Sequence, residues 1–194
     1  YEPKTGKLLW KFDLNPKDSK WILGGRGTRN NIIATPVINK NRVYLAVGQD
    51  PEHGEGPGHL FAIDATKRGD ITESGRVWHV GNDDFHRTMS TVAIKDGLLY
   101  AADLSGFLLC LDEDTGKQHW KFDVMAAVWG SPYVVDGKVM LGDEDGELHV
   151  RQHGKEVKEL ATNDMKNAVY TTPVASNGTL YITNRNTLFA IPSK

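Results

Sequence analysis

Leu108-Leu109-Cys110-Leu111-Asp112-Glu113-Asp114-Thr115-Gly116-Lys117-Gln118-His119-Trp120-Lys121-Phe122 decides how this chain folds. An apolar run of strand length, a turn closed by Thr-Gly and a second run centred on a tryptophan make two adjacent β-strands. The first half recurs as Leu60-Phe61-Ala62-Ile63-Asp64, Leu148-His149-Val150-Arg151 and Leu188-Phe189-Ala190-Ile191-Pro192, with Cys110 in the small-residue slot of Ala62 and Ala190. The second half recurs as Thr5-Gly6-Lys7-Leu8-Leu9-Trp10-Lys11-Phe12 and, shortened, as Gly75-Arg76-Val77-Trp78. Its third copy, expected from Gly154 to Leu160, has no tryptophan.

Ahead of each pair stands a strand, a tight turn and a strand: Thr35 to Tyr44, Thr91 to Tyr100, Ser131 to Met140 and Thr172 to Tyr181. Asp96-Gly97, Asp136-Gly137 and Asn177-Gly178 accept positive φ at both central positions of a type I′ hairpin, and Lys40-Asn41 is a weaker version. The aromatic or methionine closing each hairpin repeats at intervals of 56, 40 and 41 residues. The surplus in the first interval falls in loops at 48–58 and 67–74, where insertions leave a sheet intact. Four strands per period of about forty residues make a β-propeller blade. The predicted fold is all-β, with four blades' worth of four-stranded antiparallel sheet. Blades are expected over 35–80, 91–123, 131–160 and 172–194, the last incomplete, with 1–13 the outer strand of a preceding or closing blade.

Composition agrees with a soluble globular chain: of 194 residues, 39% are hydrophobic and 25% charged. A net charge of -2 offers no electrostatic footprint for nucleic acid. No apolar run reaches the length of a membrane-spanning helix. The single cysteine, Cys110, excludes an intrachain disulfide and a thiolate-rich metal site, and its slot reads as core. Tyr1 to Gly6 reads as the interior of a repeat rather than as a signal peptide, so a longer parent chain is expected.

The pattern Leu-x-(Ala/Cys)-(Ile/Leu)-Asp-x-x-Thr-Gly-x-x-x-Trp resembles the repeat of the pyrroloquinoline-quinone-type, or quinoprotein-dehydrogenase-like, β-propellers, over essentially the whole chain. The resemblance implies tryptophans docked between neighbouring blades, here Trp10, Trp78 and Trp120. It also implies rings of seven or eight blades, so that these repeats form part of a ring completed by an upstream segment or a second chain. The alternative is a small closed ring with Leu8 to Phe12 laddered beside Leu188 to Ile191. A place outside the cytoplasm, periplasmic or at the cell surface, follows from the resemblance alone, as does pyrroloquinoline quinone with calcium. The family's quinone enzymes carry a vicinal disulfide and a calcium-linked catalytic aspartate. One cysteine cannot form the first, and no segment matches the second.

Residues entering each innermost strand line a propeller's channel: Arg29, Asn30 and Asn31, then His86 and Arg87, then Trp129, then Asn167 and Tyr170. Their guanidinium forks and aromatic faces suit an anionic planar ligand or a peptide, or else they satisfy backbone groups and fill the axis. The loop from Gly48 to His59 offers Asp50, His53 and His59 as candidate metal ligands, although its spacing matches no zinc or calcium pattern. Asp83, Asp84 and His86 carry a similar possibility. Asp143-Glu144-Asp145-Gly146 reads as a hairpin turn, like Asp103 to Gly106. No catalytic residue and no metal are assigned. The leading expectation is a non-catalytic binding or scaffolding propeller with a protein or small-molecule partner. The alternatives are a fragment of a quinone-dependent dehydrogenase, with Arg87 on the cofactor's carboxylates, and a metal-dependent hydrolase using His53 and His59.

Overall fold

The computed structural model describes residues 1–15, 17–22, 27–49 and 57–193. Strand β1 (Trp10–Lys11) stands apart near the N-terminus. The first blade holds β2 (Val37–Asn39), β3 (Arg42–Gly48), β4 (Pro57–Asp64) and β6 (Arg76–His86), with β5 (Gly69–Asp70) in the loop before its last strand. The second holds β7 (Ala93–Lys95), β8 (Leu98–Ala102), β9 (Phe107–Asp112) and β10 (Gln118–Asp123). The third holds β11 (Tyr133–Val135), β12 (Lys138–Gly142), β13 (Glu147–Gln152) and β14 (Glu159–Asp164). The fourth has three strands, β15 (Val174–Ser176), β16 (Thr179–Thr183) and β17 (Leu188–Pro192). All pairings within blades are antiparallel.

The hairpins form by the expected chemistry. Asp96, Asp136 and Asn177 sit at φ 49°, 49° and 48°, each followed by a glycine at positive φ. Lys40 takes the same position at φ 53° without a glycine behind it. Two fourth strands differ from expectation. The expected short strand at Gly75 to Trp78 is instead the eleven-residue β6, which continues through Val80 to His86. In the third blade the fourth strand is β14, later than Gly154 to Leu160, and Ala161 pairs with Val150 where Trp120 pairs with Cys110.

Alternate residues of each strand enter different clusters. Leu98, Tyr100, Ala102, Cys110 and Trp120 pack on Val139 and Leu141 of the third blade, while Leu99, Ala101, Leu109 and Leu111 pack on Tyr44, Ala62 and Trp78 of the first. This is why β8 is apolar throughout rather than alternating: both of its faces are covered. The indole N–H groups of Trp78 and Trp120 each donate 3.0 Å bonds across these seams, to Glu113 O and Gly154 O. Gly116 makes the first seam possible: at φ 69–71° like its counterpart Gly6, it lies so near the indole that a Cβ would stand 2.7 Å from Trp78.

The inner rim carries a second device. Thr35 N–H donates to Thr91 Oγ1, Thr91 N–H to Ser131 Oγ and Ser131 N–H to Thr172 Oγ1, at 2.9–3.1 Å. Each Thr or Ser opening an innermost strand thus accepts the amide of the preceding blade. Among the described residues no bond returns from Thr172 to Thr35. β1 pairs in parallel with β5, Trp10 beside Gly69, and not with β17. The sheets form an open arc, a partial propeller, and the small-ring alternative is set aside because the N-terminal segment is held on the first blade by Phe12 and Leu14 packing on Leu45, Phe61 and Ile71.

Candidate functional site

The loops between second and third strands and the loops joining successive blades lie on one face of the arc. Leu104 N–H donates to Arg87 O, Glu144 N–H to Ala127 O and Val169 N–H to Asp143 O. Of the residues expected at the channel mouth, Trp129 and Tyr170 come together on this face. Trp129 and Tyr170 meet edge to face with ring centroids 6.1 Å apart. Glu144 ties them, accepting Trp129 Nε1–H at 3.2 Å and Tyr170 O–H at 3.3 Å. Both rings remain exposed, at 36% and 40%.

His86 Nδ1 lies 3.0 Å from Asp103 Oδ2, and the other oxygen of that buried carboxylate accepts Phe107 N–H. Arg87 is buried, packed so closely on Gly48 that a Cβ there would stand 2.3 Å from Arg87 Cβ. Asn30 is also buried and donates its backbone N–H to Asn15 Oδ1, while Asn31 bridges to Gly48 and Arg29 is exposed. Asn167 Oδ1 accepts Ala168 N–H. Sequence reasoning missed Glu144 and Asp103, because both occupy positions that read as turn residues. The signal was the equivalence of Asp103-Leu104-Ser105-Gly106 and Asp143-Glu144-Asp145-Gly146, acidic turns at the same place in the second and third blades.

Asp143 does hold the turn, accepting the N–H groups of Gly146 and Glu147 at 2.9 Å. Its second oxygen is 2.7 Å from His149 Nε2, and Glu147 completes the one group of three potential metal ligands among the described residues. His149 lies beside Phe122, and the fully buried Arg151 stacks on that ring at 4.0 Å. These groups fill the seam between the second and third blades.

Of the metal candidates in the first loop, Asp50 and His53 lie outside the described residues. His59 is buried, with Nδ1 2.9 Å from His79 Nε2. Desolvation lowers both imidazoles below the ordinary histidine range, and the neighbouring His59 and Arg76 push His79 further down. Cys110 is buried in the seam against Gly154 O, and burial pushes its thiol up to about 11.

The profile of the family described as outer membrane protein assembly factor BamB, a PQQ-type repeat family, matches residues 1–156. The chain belongs to this family. BamB of Legionella pneumophila is 23% identical to this BamB-type chain over 193 residues, 95% of the chain and 43% of that protein. The lanthanide-dependent methanol dehydrogenase of Methylacidiphilum fumariolicum is 31% identical over 110 residues, 51% of the chain and 18% of that enzyme. The crystal structure of BamB from Moraxella catarrhalis matches with a TM-score of 0.62 at 16% identity, over 83% of this chain and 43% of that one. The BamB-type chain therefore spans less than half the length of these relatives.

Among the described residues the donors do not fit a quinone–calcium centre. Calcium takes about six to eight oxygen ligands, whereas the Asp143 group includes an imidazole and is closed by its own hydrogen bond. Arg87 and Cys110 are both packed away between strands and blades.

Proposed function

We propose that this chain is a non-catalytic binding or scaffolding section of a BamB-type propeller, which engages a protein or small-molecule partner on its loop face. The observation that carries the reading is the exposed Trp129–Tyr170 pair fixed by Glu144. Aromatic side chains held rigid at a surface bind at low conformational cost and dominate interface energies. The assembly-factor relatives support the scaffold role. The dehydrogenase relative keeps a quinone-enzyme fragment as the second reading. In this proposal the open ends of the arc are covered by blades from an upstream segment or a second chain.

The test uses the full-length parent protein with a photocrosslinking residue at position 129, or at position 97 on the opposite turn face. Crosslinks to a partner from 129 and not from 97, lost on Tyr170→Ala, are expected. Dye reduction with quinone, calcium and alcohols above a heat-treated control would instead establish the dehydrogenase reading.

A further inference from the structure

Resting on the loop-face reading above, we propose that Trp129, Tyr170 and Glu144 form a receptor for a guanidinium group, carried by an arginine of the protein partner. Trp129 lies in the link between β10 and β11, Tyr170 in the link between β14 and β15, and Glu144 in the turn between β12 and β13. Two backbone bonds lock these three stretches together: Glu144 N–H donates to Ala127 O at 2.9 Å, and Val169 N–H to Asp143 O at 2.8 Å. The rings stand at 79° to one another with centroids 6.1 Å apart, so they form the two walls of a corner. The Glu144 carboxylate joins the polar ends of both walls. A cation is drawn to the electron-rich face of an aromatic ring, most strongly to that of tryptophan, and the planar guanidinium also stacks on it. Walls already fixed in place bind with little further cost of ordering.

The charge of Glu144 is the second observation. Its Oε2 accepts Trp129 Nε1–H and its Oε1 accepts Tyr170 O–H. Both donors are neutral, so they orient the carboxylate without cancelling its charge. A carboxylate has about four lone-pair sites, which leaves one open on each oxygen. Two parallel acceptors of this kind match the fork of a guanidinium, whereas an ammonium is a point charge. Among the described residues no Lys, Arg or His forms an ion pair with Glu144 or with the exposed Asp145 beside it, although Asp143 has His149. Lys166, on the same link as Tyr170, is held by Asp164, and Arg185, in the matching turn of the fourth blade, makes no ion pair with Glu144. The same uncompensated charge disfavours an anionic planar ligand at this corner.

Fluorotryptophan labelling gives a fluorine resonance for each tryptophan of the chain, and Trp129→Phe assigns that of Trp129. Titration with N-acetyl-arginine amide should move the Trp129 resonance saturably, in the millimolar range, and leave those of the buried Trp78 and Trp120 in place. The citrulline analogue keeps the shape and lacks the charge, so it should bind at least tenfold more weakly, and N-acetyl-lysine amide should bind less tightly than arginine. Glu144→Gln keeps an acceptor for Trp129 Nε1–H and removes the charge. Its affinity for the arginine probe should fall at least tenfold, with the Trp78 and Trp120 resonances again unmoved. No saturable shift, equal affinity for the arginine and citrulline probes, or equal affinity in wild type and Glu144→Gln would overturn the proposal. Lysine or tetramethylammonium binding as tightly as arginine would overturn the guanidinium assignment in favour of an ammonium ligand. Crosslinks from position 129 alongside any of these failures would leave the loop-face reading standing and remove the guanidinium alone.

Discussion

The seam between the second and third blades and the seam between the third and fourth use the same repeat positions and close differently. In the former, Tyr100 and Trp120 are buried together, and Gly154 receives both: its N–H donates to Tyr100 Oη and its carbonyl accepts Trp120 Nε1–H. In the latter, Met140 and Ala161 stand in those slots. Closure there falls to Tyr133 Oη, which accepts Ala175 N–H, and to Asn184 Nδ2, which donates to Met165 O. Among the described residues no further blade covers Tyr181, in the slot of Tyr100: its exposure is 38% against 0%. The lesson is that burial at this position belongs to the neighbour. A tyrosine one strand into the hairpin becomes core only when the next blade brings its turn.

The largest break in that comparison should come from Trp120→Ala, which removes a buried aromatic and its hydrogen bond and is expected to destabilise by about 3–5 kcal/mol. Urea denaturation of wild type and variant gives the difference, and a cost under about 1 kcal/mol would show that the tryptophan seam is not the stronger one. Next come matched hydroxyl deletions. Tyr100→Phe leaves Gly154 N–H without its acceptor and should cost about 1–3 kcal/mol. Tyr181→Phe should stay within about 0.5 kcal/mol. Equal costs would sharpen the picture, because they would mean that Tyr181 is covered as Tyr100 is.

The smallest effect concerns β1 and β5. Asp70 is held at about 2, below its ordinary 3.8, first by the Thr72 hydroxyl, then by the Thr72 amide and by Lys11. A depressed carboxylate stabilises above its unfolded value and loses that contribution as pH falls through its folded one. The ribbon should therefore keep its protection above pH 3.8 and lose it toward about pH 2. Hydrogen exchange at Ile71 N–H, which donates to Lys11 O, reads this directly. Protection unchanged to pH 2 would disconnect Asp70 from the ribbon.

Most of the blade was legible because its signals are local. Asp-Gly and Asn-Gly turns force hairpins, Thr-Gly turns lead into the outer strands, and runs such as Leu98 to Ala102 announce sheets covered on both faces. The fourth strand of the third blade was misplaced because Gly154 to Glu156 imitates the Thr-Gly lead, while Ala161 gives no mark of the tryptophan slot. The candidate sites were legible only in part. Trp129 and Tyr170 could be named from the repeat, but Glu144 read as a turn residue. His59 was grouped with its sequence neighbours Asp50 and His53, whereas its partner is His79 on the adjacent strand.

By itself the sequence determined the strand order, the hairpin chemistry and the repeat, because each depends on residues a few positions apart. Only the tertiary structure decided that β1 lies in parallel on β5, that the inner-rim relay stops at Thr172, and that His59, His79 and Gly81 meet. These depend on how one sheet face seats on the next and on cross-strand register. Both are set by the shapes of side chains 20–60 residues apart, such as His59 with His79 and Thr35 with Thr91, which no local pattern records.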